Sequence, residues 1–293
     1  MSPKISICIP TYRQEAFLRR TLESIAIQSF KDYEVIVTDD SPDDRVEKTV
    51  MGRRWFDNLR YVRNAERLGA PGNWNRAVSL ATGEYVKLLH HDDWFPDPES
   101  LGEFAALLDG NPAADFAFGA TLVCGTDGEV KRVHALSPRE LGEIRRDLNR
   151  LFPRNLIGSP SATIYRRSIG EEYDVTLKWV VDLEFYIRLL KKNGAFAYSA
   201  RPLVCTVDGA PHQVTAECLG RREVELSEWV RLFQRLDVSG KVYWSHVRFF
   251  RELFERHDVR SLDELTGLGV KKPIPGIVRV LIRLHALRRR LSF

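Results

Sequence analysis

Apolar runs of strand length alternate with stretches of helical spacing through the first ninety residues, and this alternation constrains the fold more than any other feature. "KISICIP" is a short β run rich in isoleucine. "EAFLRRTLESIAIQS" then places Phe17, Leu18, Leu22, Ile25 and Ala26 at helical spacing. "YEVIVTDD", "LRYVRN" and "EYVKLLHH" are three more strands, and "GNWNRAVSLATG" before the last reads as a helix with Gly83 just past its end. Continuous apolar runs belong to strands buried on both faces. The pattern therefore predicts an α/β fold, a parallel sheet with helices on both faces.

The middle third is less regular. "PESLGEFAALLDGNP" is a helix with a proline stop, and "ADFAFGATLVCGTDGEVKRV" is a strand pair turning at Asp127-Gly128. "SPRELGEIRRDLNRLF" opens on a capping-box pattern, serine with glutamate three residues on. "GSPSATIYRRS" is a polar loop feeding a strand, and "VDLEFYIRLLKKNG" is a helix with lysines and Asn-Gly at its end. After about residue 215 the pattern is helical throughout, a C-terminal extension.

Composition excludes several classes. A net charge of +4 over 293 residues is too weak to argue for a nucleic-acid partner, and none is expected. Cys8, Cys124, Cys205 and Cys218 are scattered without a C-x-x-C pair, as expected of reduced thiols in a cytosolic protein with no zinc site. "MSPKISICIPTY" lacks the layout of a signal peptide, and no apolar run is long enough to span a bilayer.

Three strands end in polar clusters, "PTY", "TDDSPDD" and "HHDD". Taken singly, each has a plain explanation: Asx-type turns around Ser41-Pro42, or Asp92 and Asp93 capping the turn before Pro96. Taken together they gather carboxylates at the edge where an open α/β sheet binds ligands. Negative charge concentrates there at a cost unless something positive or hydrogen-bonding is bound. A divalent cation bridging a diphosphate fits, since magnesium and manganese take oxygen ligands and manganese accepts imidazole. A tyrosine can stack on a base and a carboxylate can accept from a base N–H. Neither G-x-G-x-x-G nor G-x-x-x-x-G-K-[ST] occurs, so neither a dinucleotide fold nor a P-loop is supported.

At these residues the sequence resembles the family 2 glycosyltransferases. The matching blocks are "ISICIPTYRQEAFLRRTLESIAIQSFKDYEVIVTDDSPDD", "RNAERLGAPGNWNRAVSLATGEYVKLLHHDDWFPD", "GSPSATIYRRS", "VVDLEFYIRLLKKNG" and "HQVT", roughly residues 4–215. The resemblance implies a GT-A (Rossmann-like) fold, a mixed, mostly parallel sheet with helices on both faces, with residues 1–95 as the nucleotide-sugar half, 96–215 as the acceptor half and 216–293 as the helical extension. It also implies inverting transfer of a sugar from a nucleotide diphosphate, UDP or dTDP favoured, to a hydroxyl of a saccharide or lipid-linked saccharide. Cell-surface polysaccharide or glycolipid biosynthesis is the setting implied.

By the same resemblance Pro10, Thr11 and Tyr12 form the base-binding loop, and Asp40 contacts the base, with Asp39 as its alternative. Asn75 and Arg76 flank the nucleotide. The family's D-x-D motif falls on His90-His91-Asp92, so its first acid is replaced by His90. Asp92 keeps the position of the ligand to Mn2+ or Mg2+, His91 faces the ribose and Asp93 is the alternate ligand. His212, in "DGAPHQVT", matches a histidine that reaches the metal or diphosphate from a late loop. Asp182 matches the general base; its plain alternative is a helix N-cap. Trp179, the "GSPS" loop (Gly158, Ser159, Ser161) and Glu184 are grouped on the acceptor side. A non-catalytic sugar-nucleotide-binding relative is the alternative that His90 keeps open.

The tail "VKKPIPGIVRVLIRLHALRRRLSF" is a basic amphipathic pattern, with Ile277, Val280, Leu281, Leu284 and Leu287 among Arg279, Arg283, Arg288, Arg289 and Arg290. Residues 274–293 can lie on an anionic membrane surface, which would make the protein peripheral on the inner face of the cell membrane. A helix packed on the catalytic domain, or a contact in a homo-oligomer, explains the apolar stripe equally well.

Overall fold

The structure is a computed structural model describing residues 2–236 and 243–291. The strands are β1 (Ile5–Thr11), β2 (Tyr33–Asp39), β3 (Leu59–Arg63), β4 (Tyr85–Leu88), β5 (Phe116–Cys124), β6 (Val130–His134), β7 (Thr163–Arg166) and β8 (Phe196–Val207). Between and after them run α1 (Glu15–Ala26), α2 (Arg45–Met51), α3 (Gly69–Ser79), α4 (Ser100–Asp109), α5 (Pro138–Arg146), α6 (Val181–Lys192), α7 (Val214–Cys218), α8 (Arg222–Arg235), α9 (Trp244–Arg256), α10 (Leu262–Gly267) and α11 (Gly276–Leu291).

All eight strands form one sheet in the order β3-β2-β1-β4-β7-β5-β6, with β8 pairing β5. β1 to β4 are mutually parallel, β7 is antiparallel to both β4 and β5, and β8 is parallel to β5. The sheet therefore runs unbroken across residue 95. Successive residues of a strand face opposite layers, which explains the unbroken apolar runs. Ile5, Ile7 and Ile9 join Leu18, Leu22 and Ile25 of α1 and Leu101, Phe104 and Leu108 of α4 on one face. Each such side chain contributes about 1.5–3 kcal/mol by burial. Cys8, Val86 and Leu88 join the opposite face, whose core extends through α6 and α8 as far as Ile282 in α11. The C-terminal helices thus share the core of the sheet domain.

One expectation is adjusted. The helix before β4 spans Gly69–Ser79 and ends four residues short of Gly83. Gly83 instead permits close approach to β1, since a Cβ there would lie 2.7 Å from the Ser6 nitrogen. The expected capping box is present at Ser137 and Glu140, and all four cysteines are buried free thiols. Among the described residues no helix is long and apolar enough to cross a membrane.

Candidate active site

The strand order reverses between β1 and β4: β2 and β3 are added on one side of β1, β4 on the other. Such a switch point opens a crevice at the carboxyl ends of the strands. Because β8 runs parallel to β4 through β5 and β7, its carboxyl end points to the same edge. The loop entering the antiparallel β7 also begins there. Topology alone therefore gathers Pro10–Tyr12, Asp39–Ser41, His90–Asp93, Gly158–Ser161 and the loop bearing His212 at one edge.

On the β1–β2 side, both acids are held by hydrogen bonds. The Asp39 carboxylate accepts from the Ser41 backbone N–H at 2.8 Å and from the Tyr61 hydroxyl at 2.8 Å. Asp40 accepts from Asn64 Nδ2 at 2.7 Å and from the backbone N–H groups of Leu68 at 3.1 Å and Gly69 at 2.9 Å. Gly69 has φ 74°, a left-handed conformation that glycine adopts without steric cost. Asn64 Nδ2 also donates to Asn73 Oδ1, and Asn73 donates to the Thr11 carbonyl. Asp40 therefore latches the 64–69 loop over a cleft of about 390 Å³, lined by Tyr12, Arg13, Asp40, Ser41, Arg63 and Arg67 among others. The Arg67 guanidinium lies 4.2 Å from the centre of the Tyr12 ring and covers one face of it.

At the end of β4, Asp92 is buried, and its Oδ2 lies 3.0 Å from His212 Nε2. His212 sits between Phe17 and His91, at ring separations of 5.1 and 5.7 Å. His91 Nδ1 approaches the Pro10 carbonyl at 3.3 Å, while its Nε2 is buried without a hydrogen-bond partner. Burial pushes Asp92 toward the neutral form. The His212 contact outweighs it and holds the carboxyl well below the usual range. Burial pushes His91 down, and His90 down to about 4, so both are neutral with lone pairs to offer. One ligand atom from each of His91, Asp92 and His212 lies within 4.8 Å of the others, and a second such group is His90, Asp92 and Asp93. An ionised carboxylate, neutral imidazoles and an orphaned imidazole nitrogen fit a divalent cation that accepts mixed O and N ligands.

Asp93 lies beside Asp92, with carboxylate oxygens of the two within 4.8 Å of each other. Its Oδ1 accepts from the Val207 backbone N–H at 3.3 Å, and burial with the Asp92 charge raises its carboxyl well above the usual range. Lys87, buried inside β4, is pushed down to about 7 by burial, an effect the Asp93 charge opposes. Its ammonium donates to the Ser161 carbonyl and lies 4.3 Å from the Phe104 ring centre. His90 N–H donates to Ser161 Oγ at 2.9 Å, joining the motif to the "GSPS" loop.

Asp182 lies in the first turn of α6. Its Oδ2 accepts from Asn155 Nδ2 at 2.7 Å and its Oδ1 from the Leu183 N–H at 2.8 Å. Asn155 also exchanges hydrogen bonds with the Gly158 backbone, so one side chain ties the "GSPS" loop to Asp182. Desolvation pushes Asp182 up to about 6, against those hydrogen bonds. Asp182 is not the N-cap, which is Val180. The free N–H groups of Lys178, Trp179 and Val180 go to the buried Glu228 of α8, at 2.7, 2.8 and 3.1 Å. Ser159 Oγ, expected on the acceptor side, is buried without a partner.

Three expected residues are placed elsewhere. Asn75 commits both polar atoms to the Tyr173 backbone, each at 2.8 Å, and clamps α3 to the segment before α6. Arg76 is exposed, with no side-chain hydrogen bond or ion pair among the described residues. Glu184 is buried on ion pairs with Arg188 at 3.0 Å and Arg235 at 2.6 Å, because two residues along a helix turns it to another face from Asp182. The Trp179 ring packs against Trp229 of the extension at 5.9 Å. Asn64, Asn73, Trp74, Lys87, Asn155 and Glu228 were not singled out from the sequence. Trp74 stands 5.0 Å from the His90 ring and 5.1 Å from Tyr173. A lysine in the middle of an apolar strand was the one visible signal, since a buried charge needs partners.

The strand ends thus carry a cleft at Tyr12 and a cation-competent cluster at Asp92, with the desolvated Asp182 linked to them through Asn155 and the Gly158–Ser161 loop, an arrangement suited to an open α/β protein that handles a nucleotide diphosphate. The family model for Glycosyl transferase family 2 matches residues 6–174. The chain belongs to that family and is a glycosyltransferase, moving a sugar from a nucleotide-diphosphate donor to an acceptor hydroxyl. Asp182 and His212 lie beyond the matched span. The chain is similar to the amylovoran biosynthesis glycosyltransferase AmsB of Erwinia amylovora, 26% identical over 274 residues, covering 85% of this chain and 90% of that protein. S. aureus TarS 1–349, solved in complex with UDP-GlcNAc, superposes with a TM-score of 0.64 at 18% identity, over 99% of this chain and 92% of that one. Against a longer TarS chain the TM-score is 0.58 at 23% identity; 92% of this chain is covered but only 46% of that one. The mannosyltransferase PcManGT of Pyrobaculum calidifontis, in complex with GDP-Man and Mn2+, gives 0.56 at 18% identity, covering 100% of this chain and 87% of that one. These likenesses show the shared GT-A fold.

Proposed function

We propose that the enzyme uses a UDP- or dTDP-linked sugar with Mn2+ or Mg2+ and inverts the anomeric centre. The acceptor is a hydroxyl of a saccharide or lipid-linked saccharide, in cell-surface polysaccharide or glycolipid biosynthesis. The enzyme works in the cytoplasm, peripherally on the inner face of the membrane. Support comes from the biosynthetic role in AmsB's name and from the UDP-GlcNAc and Mn2+ in the structural neighbours. Residues 1–95 then serve the donor, joined by His212, and the rest of 96–215 serves the acceptor.

The observation that carries this reading is Asp182, a carboxylate desolvated to about 6 and tied by Asn155 to the loop at the crevice edge. Asp182 accepts the proton of the acceptor hydroxyl as that oxygen attacks the anomeric carbon and the bond to the diphosphate breaks. The Gly158–Ser161 loop orients the acceptor, and the Tyr12 cleft holds the base. His91, Asp92 and His212 would hold the cation, which when bound offsets charge growing on the leaving diphosphate.

A thermal-shift series with UDP, dTDP and GDP, with and without Mn2+, tests the donor side. The favoured bases should raise the Tm more than GDP, and only with the cation, because ligand binding to the native state adds stability by mass action. A larger shift with GDP would reassign the base, and equal shifts without Mn2+ would remove the cation.

A further inference from the structure

Helix α11 carries two apolar faces, and the described residues cover one of them. Val278, Leu281, Ile282 and His285 are buried in the core shared with α8 and α9. Val280, Leu284, Leu287 and Leu291 are exposed by 51%, 48%, 53% and 76%. At 100° per residue these four fall within about 60° of arc, a second stripe on the outer side. Arg279, Arg283 and Arg290 line one margin of it and Arg288 the other; the helix contains no acidic residue. Arg288 and Arg289 lie near Glu255 and Asp258, but Arg279, Arg283 and Arg290 form no ion pair among the described residues. The single apolar face expected from the sequence is therefore two faces, with Leu281 on the inner one and Val280, Leu284 and Leu287 on the outer.

We infer that the outer face of α11 docks on an anionic membrane surface. The leucines enter the boundary between headgroups and acyl chains, and the flanking guanidinium groups meet lipid phosphates. Charge complementarity selects this occupant. A second copy packed face to face would set arginine rows against arginine rows with no acid on either helix, whereas an anionic leaflet neutralises them. A helix of 16 residues with a narrow apolar stripe suits shallow, in-plane insertion. This deepens the membrane-side placement proposed above and rests on it, but is independent of the donor.

The test is co-sedimentation of the full chain with phosphatidylcholine vesicles, with and without phosphatidylglycerol, across a salt series. Two double variants are compared with wild type, Leu284→Glu with Leu287→Glu, and Arg283→Glu with Arg290→Glu. All four side chains are exposed, so Tm and UDP binding should not change. Wild type should bind the anionic vesicles and lose them as salt rises. Each variant should bind at least about tenfold more weakly. Undiminished binding by the variants, or no vesicle binding by wild type, would overturn the assignment. So would a wild-type dimer that the leucine variant dissolves while lipid binding is absent. Vesicle binding by a chain that transfers no sugar would uphold the docking face and count against the transfer reading alone.

Discussion

His212 and Asp92, 120 residues apart, meet with Nε2 3.0 Å from Oδ2 at the edge where β4 and β8 both end. Their contact turns two strand ends into one candidate cation site, with His91 as third member. His212→Ala and Asp92→Ala should each weaken Mn2+-dependent UDP binding at least about tenfold, or about 1.4 kcal/mol. Calorimetry with Mn2+ present checks this. Full affinity in the Asp92 variant would move the role to Asp93 or remove it.

Glu228 is the extension's contribution to the site. Its carboxylate takes three backbone N–H groups just before α6, the helix that bears Asp182. Glu228→Ala leaves those donors, two part-buried and one buried, without their acceptor. Chemical denaturation should show a loss of about 2–4 kcal/mol. A change below about 0.5 kcal/mol, the ordinary surface range, would mean that water replaces the cap.

The raised Asp182 carboxyl predicts a pH dependence with a definite sign. A general base must be ionised, so kcat/KM should rise with pH through about 6 and fall about tenfold per unit below it. Stability runs the other way for this group. Its folded-state value lies above the unfolded one, so its contribution is fully present below the ordinary carboxylate range and is lost as pH rises through about 6. Asp182→Asn should therefore be no less stable than wild type at pH 7.5. A flat kcat/KM profile from pH 5 to 7, or a marked loss of stability in that variant, would contradict the assignment.

The parallel sheet was legible because strands such as "YEVIVTDD" are apolar at consecutive positions, which only a doubly covered strand tolerates. The polar strand ends were legible for the same reason, since they break those runs abruptly. Side-chain commitments were not. Asn75 and Glu184 have the polarity of ligand-binding residues, but partners 98 residues away at Tyr173 and in α8 at Arg235 consume them. Neither Glu228 as a cap nor the Asn64–Asn73 latch on Asp40 leaves a local pattern, because each joins segments that meet only in the folded chain. The two faces of α11 were merged for a related reason. Periodicity shows an apolar arc, but only packing shows which part of it is covered.

The assignment of Asp182 as general base is tested most directly by sugar transfer from the preferred nucleotide sugar in the Asp182→Asn variant, with UDP binding measured on the same preparation. Asparagine keeps the size and can still accept from Asn155, but it cannot take the acceptor's proton. UDP binding should be unchanged while transfer falls by roughly 10²–10⁴-fold. Near-normal transfer by Asp182→Asn would contradict the account.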